Sequence, residues 1–118
     1  MVCNCEQGNT IKTTEGCSKS LTFTFDSDLD GYNAEFCVRA DLDTAPILTK
    51  TISDLSGNVL NVTLTPADMN VFTFSNDDYA ERYIWGLDVY NDSVRTAVFP
   101  QLGELPPAFI VYRHVVGE

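Results

Sequence analysis

The stretch Tyr83-Ile84-Trp85-Gly86-Leu87-Asp88-Val89-Tyr90 decides the fold of this chain. Large apolar side chains recur in it at every second position, namely Tyr83, Trp85, Leu87 and Val89. A period of two residues places these side chains on one face of an extended strand, and such a face requires a core to cover it. The stretch therefore predicts a strand that buries Trp85 in a core.

Other short segments repeat this alternation. Runs of Asp, Asn, Gly, Ser and Pro separate them, and these residues favour turns. Seven or eight short strands without a long helical period predict an all-β fold, an antiparallel immunoglobulin-like β-sandwich. By the same alternation, Cys37 points away from the core. The predicted strands cover residues 10–14, 21–25, 34–40, 47–52, 59–65, 83–90, 94–99 and 109–116.

Two local signals interrupt the strands. Thr65 precedes Pro66, and Asp68 follows three residues after Thr65, which is the spacing of a helix N-cap, a first-position proline and a capping-box acid. We therefore expect one short helical turn at this point. Residues 91–93 predict a tight turn that returns the chain antiparallel to the Trp85 strand.

The length of 118 residues suits one domain. We predict a flexible N-terminal lead-in over residues 1–9 and a single β-sandwich domain over residues 10–118. The residues after Met1 lack the basic and apolar regions of a secretion signal, and no apolar run reaches the length of a membrane span. We therefore expect a soluble protein without a signal peptide or transmembrane segment.

Seventeen acidic and seven basic residues give the chain a formal charge of −10. Binding to nucleic acid or to an anionic membrane requires clustered Lys and Arg side chains. The seven basic residues are dispersed along the sequence, so neither nucleic acid nor a membrane is expected as a partner. The acidity itself is typical of a soluble surface.

The four cysteines leave three alternatives open. They could be free thiols or could bind zinc, or a disulfide could join one of the first two to one of the last two; the cysteines are, in order, Cys3, Cys5, Cys17 and Cys37. A single residue separates Cys3 from Cys5, which is tighter than the spacing in structural zinc sites. Free thiols are the default because nothing indicates export of the chain.

The acidic run before Gly31 resembles the opening of a calcium loop, since Asp26, Asp28 and Asp30 alternate. The twelfth position of such a loop should be Glu, but it is Cys37, and the flanking segments read as strands. An EF-hand is therefore excluded. A calcium site of another kind at the three aspartates and an ordinary acidic turn remain the two interpretations.

No catalytic set is evident, so we expect a protein that is not an enzyme and needs no cofactor. His114 is the only histidine and has no recognisable nucleophile motif to serve. Exposed aromatic rings could bind a sugar. Tyr90 is the best placed, because its side chain points to the face of the strand opposite to that of Trp85. A carbohydrate- or calcium-binding β-sandwich module is therefore the alternative function.

The segment 100–107 contains three prolines and cannot pair regularly in a sheet. It predicts a semi-rigid loop with apolar side chains. Such a loop either anchors an interface or folds over the end of the sandwich. The candidate interface residues are Leu102, Leu105, Pro106 and Pro107.

The order of these segments resembles that of small immunoglobulin-like β-sandwich proteins encoded among phage and prophage tail and baseplate genes. The likeness spans about residues 10–116. The cysteine-bearing start and the long proline-rich insertion depart from that pattern. The matching segments are Leu21 to Phe25, Asp30-Gly31, Phe36-Cys37-Val38-Arg39, Val62-Thr63-Leu64-Thr65-Pro66 and Tyr83 to Val89.

This resemblance implies a non-enzymatic structural module of the virion that acts by protein–protein contact, through strand edges and the 100–107 loop. Its partners would be other protein subunits, including virion components or further copies of itself, as a homo- or hetero-oligomer. Its location would be the virion or the bacterial cytoplasm.

Overall fold

The computed structural model describes residues 3–5, 10–74, 79–92, 94–100 and 105–113. Within these ranges, nine strands and one short helix follow one another along the chain. The strands are β1 (Cys3–Cys5), β2 (Ile11–Thr14), β3 (Lys19–Phe25), β4 (Asn33–Arg39), β5 (Leu48–Ile52), β6 (Val59–Leu64), β7 (Ala80–Tyr90), β8 (Arg95–Phe99) and β9 (Ala108–Tyr112). The helix α1 (Pro66–Met69) lies between β6 and β7.

The strands form two sheets around one hydrophobic core. The smaller sheet has the strand order β1-β3-β6, and both of its pairings are antiparallel. The larger sheet has the order β2-β9-β7-β4-β5, and β8 also pairs with β7. The predicted all-β, immunoglobulin-like sandwich is confirmed.

Two details differ from the prediction. Strand β2 runs parallel to β9, with Ile11 opposite Phe109, so the larger sheet is mixed rather than purely antiparallel. The number of strands rises to nine because residues 3–5 form β1 against the end of β3. Both pairings join segments that are distant in sequence, and hydrophobic alternation does not specify such partners.

Trp85 lies inside the core, with 2% of its surface exposed. Its ring centroid lies 5.9 Å from that of Phe23 in the smaller sheet and 5.6 Å from that of Phe36 in β4. Tilted aromatic pairs of this kind stabilise a core beyond the burial of their area. The predicted burial of Trp85 is therefore confirmed, and this ring is not available to a sugar.

Helix α1 begins as the sequence predicts. The Thr65 hydroxyl accepts a hydrogen bond from the Asp68 backbone N–H at 3.1 Å, and the Asp68 carboxylate accepts one from the Thr65 N–H at 2.8 Å. Pro66 occupies the first turn. This capping box satisfies two backbone donors at the start of the helix. Among the described residues, no helix is long and apolar enough to cross a lipid bilayer.

The Asp68 carboxylate also holds Lys50 of β5, at 2.9 Å from Nζ to Oδ2. Lys50 lies two residues from both Leu48 and Ile52, so its side chain points to the same, core-facing side of this edge strand. The pKa of Asp68 is lowered, mainly by the hydrogen bond from the Thr65 backbone and also by Lys50. The ion pair therefore joins the end of β6 to the edge of the other sheet.

Candidate interaction site

The site begins with an interruption beside β7. Strands β8 and β9 pair, one after the other, with the same edge of β7, and their pairings end at Leu87 and Ile84 respectively. Only Trp85 and Gly86 lie between these two positions, whereas residues 100–107 connect the two strands. This connecting segment is called the proline loop (residues 100–107), and the structure describes residue 100 and residues 105–107 of it.

The end of the proline loop is fixed to β7. The backbone N–H of Trp85 donates a hydrogen bond to the Pro107 carbonyl at 3.1 Å, and Pro107 is buried. Pro106 is half-buried, and Leu105 is 90% exposed. Leu102, the fourth predicted interface residue, lies outside the described residues. The loop thus presents Leu105 to solvent from an anchored base.

Beside this loop, a groove crosses the outer face of the larger sheet. It has a volume of about 300 Å³. Its floor lies where Cys37 of β4 is opposite Gly86 of β7, because glycine leaves a gap between longer neighbours. The walls come from both strands, the proline loop and the 40–47 connection, and the lining residues are Glu35, Cys37, Arg39, Leu42, Ile84, Trp85, Gly86, Asp88, Pro100 and Pro106.

The wall formed by the 40–47 connection is held by polar contacts. The Arg39 guanidinium donates a hydrogen bond to the Thr44 carbonyl at 2.6 Å. The Asp41 carboxylate accepts one from the Asp43 N–H at 2.8 Å. Leu42, at the tip of this turn, remains 71% exposed although it lines the groove. An exposed leucine therefore lies in the wall of the groove that the 40–47 connection forms.

One end of the groove is polar. Arg95 of β8 contacts the Asp88 carboxylate at 2.7 Å and the Glu35 carboxylate at 3.3 Å. The same guanidinium lies 4.4 Å from the centre of the Tyr90 ring. The two acids therefore share one arginine, and that arginine covers a face of the ring predicted as the best candidate for sugar binding.

The thiol of Cys37 lies on the groove side of β4, opposite the core as predicted. Burial raises the pKa of Cys37, and the neighbouring carboxylate of Glu35 raises it further. A thiol with a raised pKa is a weak nucleophile at neutral pH because the thiolate is the reactive form. Cys37 therefore contributes a neutral side chain to the groove at neutral pH.

The alternatives for the cysteines are tested only in part. Cys17 and Cys37 are free thiols. Cys3 and Cys5 lie in β1, and their side chains are outside what the structure describes. Within the described ranges, no three His, Cys, Asp or Glu side chains are grouped so as to hold a metal ion.

The acidic turn after β3 has a structural role. Leu29, between the aspartates, is fully buried, and its N–H donates to the Gly57 carbonyl at 2.7 Å. The Asp30 carboxylate accepts a hydrogen bond from the Gly57 N–H at 2.8 Å. Asp26 and Asp28 are exposed. Calcium binding at the three aspartates therefore stays a prediction, and no geometry among the described residues adds to it.

Two features of the site were not foreseen from the sequence. The buried Leu29 stands alone between acidic residues and follows no alternating pattern. The groove depends on the register that sets Gly86 opposite Cys37, and this register links strands far apart in the chain. His114, the candidate catalytic base, lies outside the described residues.

No protein-family model and no curated protein matches the chain. Among solved structures, the crystal structure of CBD12 from CALX1.2 is similar, with 11% sequence identity and a TM-score of 0.47. The match covers 96% of this chain and 44% of that one, so the chain spans less than half the length of that structure. A likeness at this level says nothing about ligand or activity.

Proposed function

We propose that this chain is a non-enzymatic interaction module that binds a protein partner through the groove on the larger sheet. One observation supports this proposal above the others. Leu42 lines the groove, Leu105 adjoins the lining residue Pro106, and both leucines are largely exposed. Apolar side chains exposed together beside a concave surface are typical of protein-binding sites.

The chemistry of the groove suits a short apolar contact with a polar rim. Its volume of about 300 Å³ can receive one or two side chains of a partner. The Glu35–Arg95–Asp88 cluster at one end supplies the polar groups that fix orientation. The net charge of −10 favours a partner with a basic surface, because opposite charges speed encounter.

The finer form of the proposal is that the partner is a subunit of a phage virion or of a related assembly. It rests on the resemblance of the strand and turn order to tail and baseplate proteins. Calcium or carbohydrate binding remains the alternative function, and calcium binding is an outcome of the experiment below.

The experiment places a photo-crosslinking residue at Leu105 in cells that naturally produce the protein. The matched control carries the same residue at Lys12, which is exposed on the edge strand β2 away from the groove. We expect adducts with one protein from position 105 and none from position 12. Equal adducts from both positions would contradict the proposed site.

The captured protein is then purified and titrated by calorimetry. Gly86→Val fills the floor of the groove without entering the core, and we expect it to weaken binding at least about tenfold, or ~1.4 kcal/mol. Thr51→Val, on the same outer face but outside the groove, should bind like the wild type. Titration with Ca²⁺ alone tests the alternative, because heat from calcium in the absence of protein binding would favour the calcium module.

A further inference from the structure

The exposed sheet edges in the described part of the chain are not alike. Strands β1 and β2 are edges of only three and four residues. Edge strand β5 carries the core-facing Lys50, which is paired with Asp68. Short length and inward-pointing charge both hinder the addition of another strand. Strand β8 pairs only with β7 among the described strands, begins with the charged Arg95, and has a register shift against β7 between Leu87 and Asp88. Charge and an irregular register also hinder pairing, so these four edges are protected.

Strand β6 is the exception. It forms the second edge of the smaller sheet and is six residues long, Val59-Leu60-Asn61-Val62-Thr63-Leu64. It contains no charged residue, no proline and no glycine, and its pairing with β3 has no bulge. A long, regular and uncharged edge is a template for a further strand.

The hydrogen-bond pattern shows which groups of β6 face outward. The Phe25 N–H donates to the Asn58 carbonyl at 2.7 Å, so these two residues form a hydrogen-bonded pair. Such pairs alternate along an antiparallel ladder, which directs the even-numbered residues of β6 to β3. The N–H and C=O groups of Val59, Asn61 and Thr63 therefore point away from the sheet.

On either side of these three residues, the next outward N–H groups are already hydrogen-bonded within the chain. They belong to Gly57 and Thr65. Gly57 donates to the Asp30 carboxylate and Thr65 to the Asp68 carboxylate, each at 2.8 Å. Three residues thus remain with outward N–H groups, and Asn61 stands at their centre.

The face of the sheet beside Val59, Asn61 and Thr63 carries no charged side chain. The outward residues of β3 that flank it are Ser20, Thr22 and Thr24, and the Thr22 hydroxyl bonds to the Asn61 side chain at 3.0 Å. Two copies of a chain with a charge of −10 repel each other, so they meet most easily where both surfaces lack acids.

The charges beyond the two ends of β6 select an orientation. The aspartates of the acidic turn, residues 26–30, lie beyond the Val59 end. At the other end, Lys19 lies beside Leu64, and the charge of Asp68 is balanced by its ion pair with Lys50. An antiparallel arrangement of two copies sets the acidic end of one beside the basic end of the other. A parallel arrangement would set the acidic ends together.

From these observations we infer that β6 pairs with β6 of a second copy of the chain. The two strands run antiparallel about a two-fold axis at Asn61, so Val59 of one copy lies opposite Thr63 of the other. The three outward residues of each copy then exchange about six backbone hydrogen bonds. This contact joins two smaller sheets into one continuous sheet and leaves the groove of each copy open for its partner.

The first measurement needs no variant. We expect the sedimentation of the wild-type protein to change from monomer to dimer as its concentration rises from about 1 µM to about 1 mM, a range suited to a small interface. Hydrogen exchange by NMR should show that the N–H groups of Val59, Asn61 and Thr63 gain protection as dimer forms. A monomer throughout the series would overturn the inference.

The second measurement tests the axis. Asn61→Lys and Asn61→Asp each place like charges opposite one another, so each variant alone should be monomeric. An equimolar mixture should form a heterodimer because opposite charges then meet. Thr51→Lys and Thr51→Asp make the same changes of charge on the edge of β5 and should dimerise like the wild type.

Two results would contradict this geometry. A dimer that persists in both Asn61 variants would place the interface elsewhere on the molecule. If the dimer is lost in both variants and does not recover in the mixture, Asn61 of one copy does not face Asn61 of the other. Circular dichroism of each variant confirms that it is folded before its mass is compared.

Discussion

Replacing Leu29 by alanine tests whether the acidic turn is part of the core. The side chain is fully buried although its neighbours in sequence are aspartates. Leu29→Ala removes three carbon atoms, which at ~0.8 kcal/mol each gives a transfer loss of roughly 2.4 kcal/mol. The cavity left behind adds to this loss, and measured Leu→Ala costs lie between about 2 and 5 kcal/mol. We expect the free energy of unfolding to fall by about 3 kcal/mol.

For a domain of this size, each kcal/mol lowers the melting temperature by about 4 °C, so we expect a decrease of about 12 °C by calorimetry. Leu105→Ala is the control, since a leucine that is 90% exposed should lower it by less than about 2 °C. Similar small shifts for both variants would refute the placement of Leu29 in the core. Adding Ca²⁺ to the wild type in the same assay tests the aspartates, because a bound ion raises the melting temperature.

Three further predictions concern single contacts. Asp68→Asn should lower the stability at neutral pH by about 1 kcal/mol, as measured by urea unfolding, because the hydrogen bond from the Thr65 N–H loses its charged acceptor and Lys50 loses its ion pair. The pKa of Asp68 is lowered in the folded state. The carboxylate's contribution to stability is therefore fully present above the unfolded pKa of about 4, and it is lost as the pH falls through the folded pKa. The wild type and the variant should therefore converge in stability below about pH 4. Cys37 should react with iodoacetamide more slowly than a free thiol at pH 8, and the midpoint of its pH–rate curve should lie above the ordinary thiol value, as followed by mass spectrometry. Tyr83→Phe removes the hydrogen bond from the hydroxyl to the Thr73 carbonyl, which is 3.0 Å long, and should cost about 1 kcal/mol in thermal unfolding.

The features of the fold that depend on neighbouring residues were predictable from the sequence. The alternation around Trp85 predicted a core-facing strand, and β7 has that form. Thr65 and Asp68 predicted the helix start, and both capping bonds are present. The turn after β7 is also as predicted, since the Asn91 N–H donates to the Val94 carbonyl. In each case the groups that decide the geometry lie within a few residues of one another.

The features that depend on distant partners were not predictable. No local pattern shows that β2 lies parallel to β9, or that β8 and β9 share one edge of β7. The groove follows from these long-range pairings, because Gly86 forms its floor only when Cys37 is opposite. The sequence indicated that the proline loop would leave the sheet, but not that it would border the outer face of β4 and β7.

The parallel contact between β2 and β9 has a consequence for synthesis of the protein. β2 is the first strand of the larger sheet to be translated, and its neighbour β9 is the last strand of that sheet. Its backbone donors must therefore wait until every other strand of the sheet has been made before they find their acceptors. We expect nascent chains that end before residue 108 to lack a closed larger sheet and to depend on chaperones until β9 has been translated.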